Sequence, residues 1–406
     1  MKRRGFLGKV AGGMASGAVV ATGLSKSAAA DAAPTAAGAV PGPLVTTPAV
    51  HMAPRADGLE VVWAVSRLAR GWVEWKGSDG TTGKAHEDAF GFVPQGDRVV
   101  RVRVDGFKPG GTYQIRTVTE AGDPAKIREE SPWKEFRTLD AKAAATKFVV
   151  WNDTHEHNDT IQKLQTVTPS ADFLLWNGDT CNNWIKEDLL IPTLLHPAGQ
   201  DASAGRPMFI VWGNHDVRGE WAFKMPGLIP TPSDRPFYAF RSGPVAFICL
   251  HTGEDKPDDH PSFGGRVAFE PLRAQQAEWL KHIIEQPEFR DAPYRVVFCH
   301  IPLRWKEEHG QDYANGGYDA FSKFSRDAWH DSLVKWKTQI VISGHTHQHA
   351  WIPGTPEFPY GQLVGGGPKM EIATCIEGSA DKDGLKFLMK DLDGKVLQDI
   401  AFKPLA

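Results

Sequence analysis

Asp, His and Asn recur in this chain wherever a short apolar run ends. The runs read Phe148-Val-Val-Trp-Asn-Asp153-Thr-His155, Phe173-Leu-Leu-Trp-Asn-Gly-Asp179, Phe209-Ile-Val-Trp-Gly-Asn214-His215-Asp216, Val296-Val-Phe-Cys-His300 and Ile340-Val-Ile-Ser-Gly-His345-Thr-His347. Runs of this length, rich in Val, Ile and aromatics and closed by polar residues or Gly, predict buried strands. In an open α/β sheet the carboxyl ends of the strands line the ligand crevice. Five such ends meeting there bring two Asp, four His and an Asn together, enough to hold two metal ions. A centre of that kind points to hydrolysis of a phosphate ester.

The residue types carry this expectation further. Mixed carboxylate, imidazole and amide donors suit two divalent or trivalent transition-metal ions, such as iron, manganese or zinc, rather than calcium. Asp153 and His155 are two apart, so an extended backbone would turn both to one side, and His345 and His347 repeat the spacing. Two ions roughly 3.5–4 Å apart clamp the attacking and leaving oxygens of an in-line displacement and lower the pKa of a bound water. Gly178, Gly213 and Gly344 fit tight turns beside the ions.

Composition sets the frame around these motifs. At 406 residues the chain is long enough for two domains, and 41% apolar with 23% charged residues is ordinary for a globular protein. Fourteen Trp suggest packed β structure or an aromatic-walled cleft. The formal net charge is −3, and residues 1–30 hold five basic residues and no acid, so their removal leaves −8. An acidic protein has no general attraction to nucleic acid or to an anionic membrane, so a phosphate substrate must be drawn in by local cations. Cys181, Cys249, Cys299 and Cys375 form no Cys-x-x-Cys, which argues against a zinc ribbon. Cys249 and Cys299 sit inside apolar runs and read as small core residues.

The elements that must position the site follow from the pattern. Residues 1–30 open with Lys2, Arg3 and Arg4, continue through a mild apolar middle and end in Ala28-Ala29-Ala30. This is an export signal, too short and glycine-rich to anchor the chain stably in a membrane. Its Arg-Arg-x-Phe-Leu core resembles the twin-arginine signal, which implies the twin-arginine export machinery as a partner and a periplasmic or extracellular location. Residues 31–45 are Ala/Pro/Gly-rich and read as linker. Residues 46–140 are all-β: Leu59–Val65, Gly71–Trp75, the Val/Arg alternation of residues 98–104, and further strands ending near Trp133–Leu139. Strands at this spacing predict an immunoglobulin/fibronectin III-like sandwich. Residues 146–406 alternate strands with helices. One helical face carries Leu272, Gln276, Trp279, Leu280, Ile283 and Ile284, and residues 318–337 predict a second helix with Phe321, Phe324, Trp329 and Leu333 inward. A hairpin is expected over residues 237–250 and a β-meander after Met370, turning at Asp393-Gly394.

Asp153-x-His155, Gly178-Asp179, Gly213-Asn214-His215-Asp216, His300 and Gly344-His345-x-His347 together resemble the calcineurin-like metallophosphoesterases, in the family's order and over about half the chain. The resemblance implies an α/β-β-α sandwich and a small-molecule phosphate ester as substrate. It implies that Asp153, His155, Asp179 and His347 hold one metal, and that Asp179, Asn214, His300 and His345 hold the other, with Asp179 bridging. It also implies that His215 contacts the scissile phosphate and assists the leaving group, with Asp216 orienting it. The expected activity is hydrolysis of phosphate mono- or diesters by in-line attack of a metal-bound hydroxide. The segment before residue 140 resembles the fibronectin III-like domain that precedes the catalytic domain in purple acid phosphatases. The metal motifs depart from that subfamily, since His155 and Asn182 stand where it resembles Gly and a tyrosinate ligand.

Beside the motifs, Arg218, Arg304 and Asn182 are the candidate substrate contacts, the two arginines because guanidinium pairs bidentately with phosphate. His157, Asn183 and His349 are weaker candidates, and residues 254–260 read as an exposed loop. Two other readings compete. His155-Glu-His157-Asn-Asp159 nearly matches the His-x-His-x-Asp-His run of metallo-β-lactamase-like hydrolases, but Thr160 breaks it. Alternatively the sandwich is a cell-surface binding module and the metal site a remnant.

Overall fold

The computed structural model describes residues 42–122, 127–307 and 320–405. The segment expected to be an export signal and most of the expected linker lie outside the described residues. Gly42–Ala406 forms one compact unit.

Two sheets stacked face to face position the site. In the first, Thr146–Trp151, Phe173–Asn177 and Met208–Val211 run parallel side by side. In the second, Val245–Leu250, Tyr294–Cys299, Ile340–Ser343 and Gly361–Val364 are parallel in that order. Side chains alternate faces along each strand, so each run supplies two apolar faces. Phe148, Val150, Phe173, Leu175, Phe209 and Val211 meet Phe247, Cys249, Val296, Phe298, Ile340 and Ile342 between the sheets. The other face of the first sheet, with Val149, Trp151, Leu174 and Trp176, packs on Ile161 and Leu164 of the helix Asn158–Val167. The outer face of the second, with Ile248, Val297 and Val341, is covered by Leu280 of Phe269–Ile283 and by Trp329 and Leu333 of Lys323–Lys335. The result is the α/β-β-α sandwich expected from the sequence.

Local expectations mostly hold. The hairpin is Tyr238–Ser242 against Val245–Leu250. The meander is Thr374–Ala380, Leu385–Asp391 and Val396–Phe402, and Gly394 takes the left-handed turn with φ 88°. All four cysteines are buried and free. The second helix is shorter than its pattern suggested, and Phe324 is not inward: it is 45% exposed, with the Arg273 guanidinium stacked on its ring. Cation stacking satisfies an aromatic there without core burial.

The strand-rich segment before residue 140 is built into the first sheet. Val50–Met52 runs parallel beside Met208–Val211 and antiparallel to Leu59–Ala64, which in turn pairs Val99–Val104. The sheet therefore has nine strands. A separate sheet centred on Ala69–Gly77 and Thr112–Ala121 packs over its end, enclosing Val61, Trp63, Val73, Val100, Val102 and Ile115. Of the alternating Val/Arg strand, Val100, Val102 and Val104 point into this core. Arg101 lies outward, bonding the buried Glu60 at 3.0 Å and Asp234 at 2.7 Å, so it ties the segment to the later part of the chain.

Candidate metal centre

The carboxyl ends of five parallel strands deliver the expected donors to one crevice. Asp153 and His155 follow Thr146–Trp151, Asp179 follows Phe173–Asn177, and Asn214 follows Met208–Val211. His300 follows Tyr294–Cys299, and His345 and His347 follow Ile340–Ser343. The first sheet thus supplies four donors and the second supplies three. Donor atoms of Asp153, His155 and His347 lie within 4.8 Å of one another, as do those of Asp179, His300 and His345. His155, Asp179 and His215 form a third such group.

The backbone achieves this differently from the extended spacing that the sequence suggested. Asp153, His155, Asp179, His345 and His347 have φ between 43° and 71°, the left-handed region. Such values are rare for residues other than Gly, and they cluster at functional sites where the surroundings over-determine them. Each i,i+2 pair is therefore aimed by tight turns rather than by strand pleat. Close packing of backbone is needed as well. A Cβ at Gly344 would sit 2.1 Å from Asp153 Oδ2, and one at Gly213 would sit 2.2 Å from Asp179 Oδ1.

Neighbours aim the donor atoms. His300 Nδ1 lies 2.8 Å from the Asn177 carbonyl, which leaves Nε2 directed into the crevice 3.1 Å from Asp179 Oδ2 and 3.7 Å from Asp153 Oδ1. His155 Nδ1 faces Asn182 Oδ1 at 3.2 Å, and its Nε2 is 3.4 Å from Asp179 Oδ2 and 3.2 Å from His347 Nε2. His345 Nδ1 lies 2.9 Å from Asn214 Oδ1. Backbone N–H groups hold the carboxylates: His345 donates to Asp153 Oδ1 and His215 to Asp179 Oδ1, both at 2.8 Å.

These residues fit a pair of cations. Asp153 Oδ2 and His300 Nε2 are fully buried without a hydrogen-bond partner, although oppositely charged groups lie close by. Buried polar atoms are almost always paired, so each of these two atoms, aimed into the crevice without a hydrogen bond, is placed to serve a cation, Asp153 in one donor group and His300 in the other. Electrostatics show the same congestion. Burial pushes the Asp153 carboxyl up to about 7 despite the attraction of His300. Burial opposes charge on His300, but Asp179 and Asp153 outweigh it and carry the imidazole up to about 10. Burial and the neighbouring His155 pull His347 down to about 4.

His215 stands beside the donors, its ring 4.7 Å from that of His155. Its Nδ1 is 2.7 Å from the Asn182 carbonyl and its Nε2 is 3.1 Å from Arg218 Nη1. That arrangement makes Nδ1 the protonated nitrogen and Nε2 an acceptor from the guanidinium. Burial, with Arg218 adding to it, lowers the imidazole pKa and so disfavours a charged ring. Asp216 does not orient this ring. Its carboxylate accepts from Thr180 N and Oγ1 and from Gly213 N, locking the turn instead, because those N–H groups have no strand partner there.

The other candidates separate cleanly. Arg218 is at the centre, held by Glu254 at 2.8 and 2.7 Å and by Asp255 at 3.0 Å. Residues 254–260 are thus not simply an exposed loop: Glu254 is 3% and Asp255 8% exposed. Their position just past the strand Val245–Leu250, at the same sheet edge as the metal motifs, was the available signal. Asn182 acts on two histidines, through its amide and through its carbonyl. Arg304 is buried over the Phe358 ring and donates to the carbonyls of Pro353 and Tyr360, which is a structural use of its fork. His157 and His349 are exposed and lie outside the donor groups, which removes the metallo-β-lactamase-like arrangement.

Two stacked sheets with this donor set at their strand ends have the fold of the metallophosphoesterases. The calcineurin-like phosphoesterase family matches residues 146–349, half of the chain, and the chain belongs to that family. No curated protein matches the sequence. Among solved structures the fold is similar to purple acid phosphatase PPD1 from yellow lupin (Lupinus luteus) seeds, with a TM-score of 0.64 and 14% identity over 88% of this chain and 75% of that one. It is also similar to PhoD, with a TM-score of 0.54 and 13% identity over 87% and 88%. Among the described residues, no helix is long and apolar enough to cross a membrane.

Proposed function

We propose that this protein is an exported, dinuclear metal-dependent phosphoesterase acting on small phosphate mono- or diesters. The observation that carries the reading is the meeting of donors from two sheets around the unpartnered, buried Asp153 Oδ2 and His300 Nε2. Asp153, His155, Asp179 and His347 hold one ion, and Asp179, Asn214, His300 and His345 hold the other. When bound, such ions polarise the phosphoryl group and make water a nucleophile near neutral pH. Arg218 offers N–H donors to the phosphoryl oxygens, a task suited to a guanidinium already fixed by two carboxylates. Substrate that engages Arg218 frees His215 Nε2 to face the ester oxygens. Asn182 keeps His155 and His215 in their tautomers.

Residues 1–30 direct export as a folded protein by the twin-arginine route, which suits an enzyme that loads metal before it crosses. The strands before residue 140 are the counterpart of the fibronectin III-like domain of purple acid phosphatases, here continuous with the first sheet, and the mature chain starts near Asp31. Lacking a tyrosinate ligand, the centre is not purple. The test is an assay of protein reconstituted with manganese, iron or zinc on para-nitrophenyl phosphate and its bis-ester, with elemental analysis alongside. Turnover dependent on one or two bound ions supports the reading. No turnover with any of them, or less than one ion bound after reconstitution, removes it.

A further inference from the structure

A cavity of about 560 Å³ opens directly beyond Arg218. Its walls include Trp212, Phe223, Phe263, Phe269, Ile229 and Leu272. We propose that this cavity seats the alcohol portion of the ester, and that this portion is bulky, apolar and uncharged. The inference rests on the phosphoesterase reading and specifies its substrate class.

Position is the first argument. Arg218 lines the cavity, and its Nη1 is 3.1 Å from His215 Nε2, so one guanidinium separates the reacting end from the apolar space. Asn183 also lines it, next in sequence to the Asn182 whose carbonyl holds His215. Trp212 immediately precedes Gly213-Asn214. In hydrolysis, water oxygen bonds to phosphorus, the phosphorus–oxygen bond to the alcohol breaks, and a proton from water leaves on the alcohol. A leaving group on the His215 side therefore enters this cavity.

Size and lining are the second argument. The volume falls within the range of roughly 300–1,000 Å³ typical of sites for organic ligands, well beyond the need of a phosphate alone. Phe223 is 76% exposed, an aromatic side chain left in water at the wall of an apolar space. Charge is the third. Arg218, Arg235 and Arg266 are matched among the lining residues by Glu220, Asp234 and Glu254. With as many acids as arginines in its lining, the cavity wall offers no excess of cationic side chains to a polyanionic leaving group such as a nucleotide.

The test compares phenyl and 2-naphthyl phosphate, whose leaving alcohols are of similar acidity, on the manganese-reconstituted enzyme. The larger ring should raise kcat/KM by roughly tenfold, the gain expected for burying the added apolar surface. Ala268→Trp and Ala222→Trp each place an indole in the cavity wall, and each should bring the ratio close to one. Equal kcat/KM for the two esters in the unmodified enzyme, or a ratio unchanged in both folded variants, overturns the proposal. Calorimetry with 2-naphthol gives an independent readout. If neither ester is hydrolysed, the phosphoesterase reading fails by itself. The cavity assignment then stands if 2-naphthol binds and both variants abolish binding, and falls if 2-naphthol does not bind.

Discussion

At the scale of single residues, the centre divides into groups placed to hold cations and groups that aim those groups. His215 lies outside both proposed metal sets, with Nδ1 held by the Asn182 carbonyl and Nε2 facing Arg218. His215→Ala should therefore lower kcat by at least about a hundredfold while metal content, measured by elemental analysis, stays the same. Asp179→Asn should behave in the opposite order, losing metal first, because its carboxylate faces both His155 and His300. Burial pushes the Glu254 carboxyl up to about 7 even against Arg218, and Glu254→Gln would leave Arg218 with a weaker grip. That variant should raise KM for phosphate esters severalfold with folding intact by circular dichroism. His251 sets a pH dependence outside the metal donors. Burial, aided by Arg273, lowers its pKa to about 3, below the unfolded value near 6.5. The unfolded chain then binds the proton first. Its contribution to stability is complete above pH 6.5 and falls by about 1.4 kcal/mol per pH unit as pH drops toward 3. His251→Asn should flatten the urea-derived stability curve over that window; an unchanged slope would remove this residue from the acid response.

At the scale of elements, the strand ends were legible because each alternates an apolar face against the next layer and stops at a polar residue. Phe148, Val150, Phe173 and Leu175 announce one layer, and Val149, Trp151, Leu174 and Trp176 announce the other. The turns that follow were not legible, since nothing in Asp153-Thr-His155 states that both residues take left-handed backbone. Glu254 and Asp255 were missed for a related reason. They sit among Pro, Asp and Lys, a composition typical of exposed loops, and only the tertiary placement of Arg218 accounts for their burial. Phe324 went wrong through periodicity, which cannot distinguish a core aromatic from one stacked by an arginine. The tightness of the turns gives a further expectation. Gly344→Ala forces a methyl group against Asp153, so it should cost about 1–3 kcal/mol in urea unfolding and reduce metal occupancy. A stable, fully loaded Gly344→Ala protein would show that the approach is loose.

At the scale of the whole molecule, the segment before residue 140 is structural. Val50–Met52 covers the edge of the sheet beside Met208–Val211, and Arg101 reaches across to Asp234. A chain of residues 146–406 alone would expose that edge, and unprotected edges pair with other copies. It should aggregate on size-exclusion chromatography, whereas residues 42–406 should run as a discrete species. A well-behaved short form would show that the two regions are independent. With four donors on one layer and three on the other, cations bound there would act as rivets that fasten the two halves of the sandwich at their open mouth. Stripping them with a chelator should withdraw up to about 4 kcal/mol if the site had been a thousandfold saturated. The loss should be local before it is global, with amide exchange quickening around residues 152–156 and 344–348 while the strands behind keep their protection.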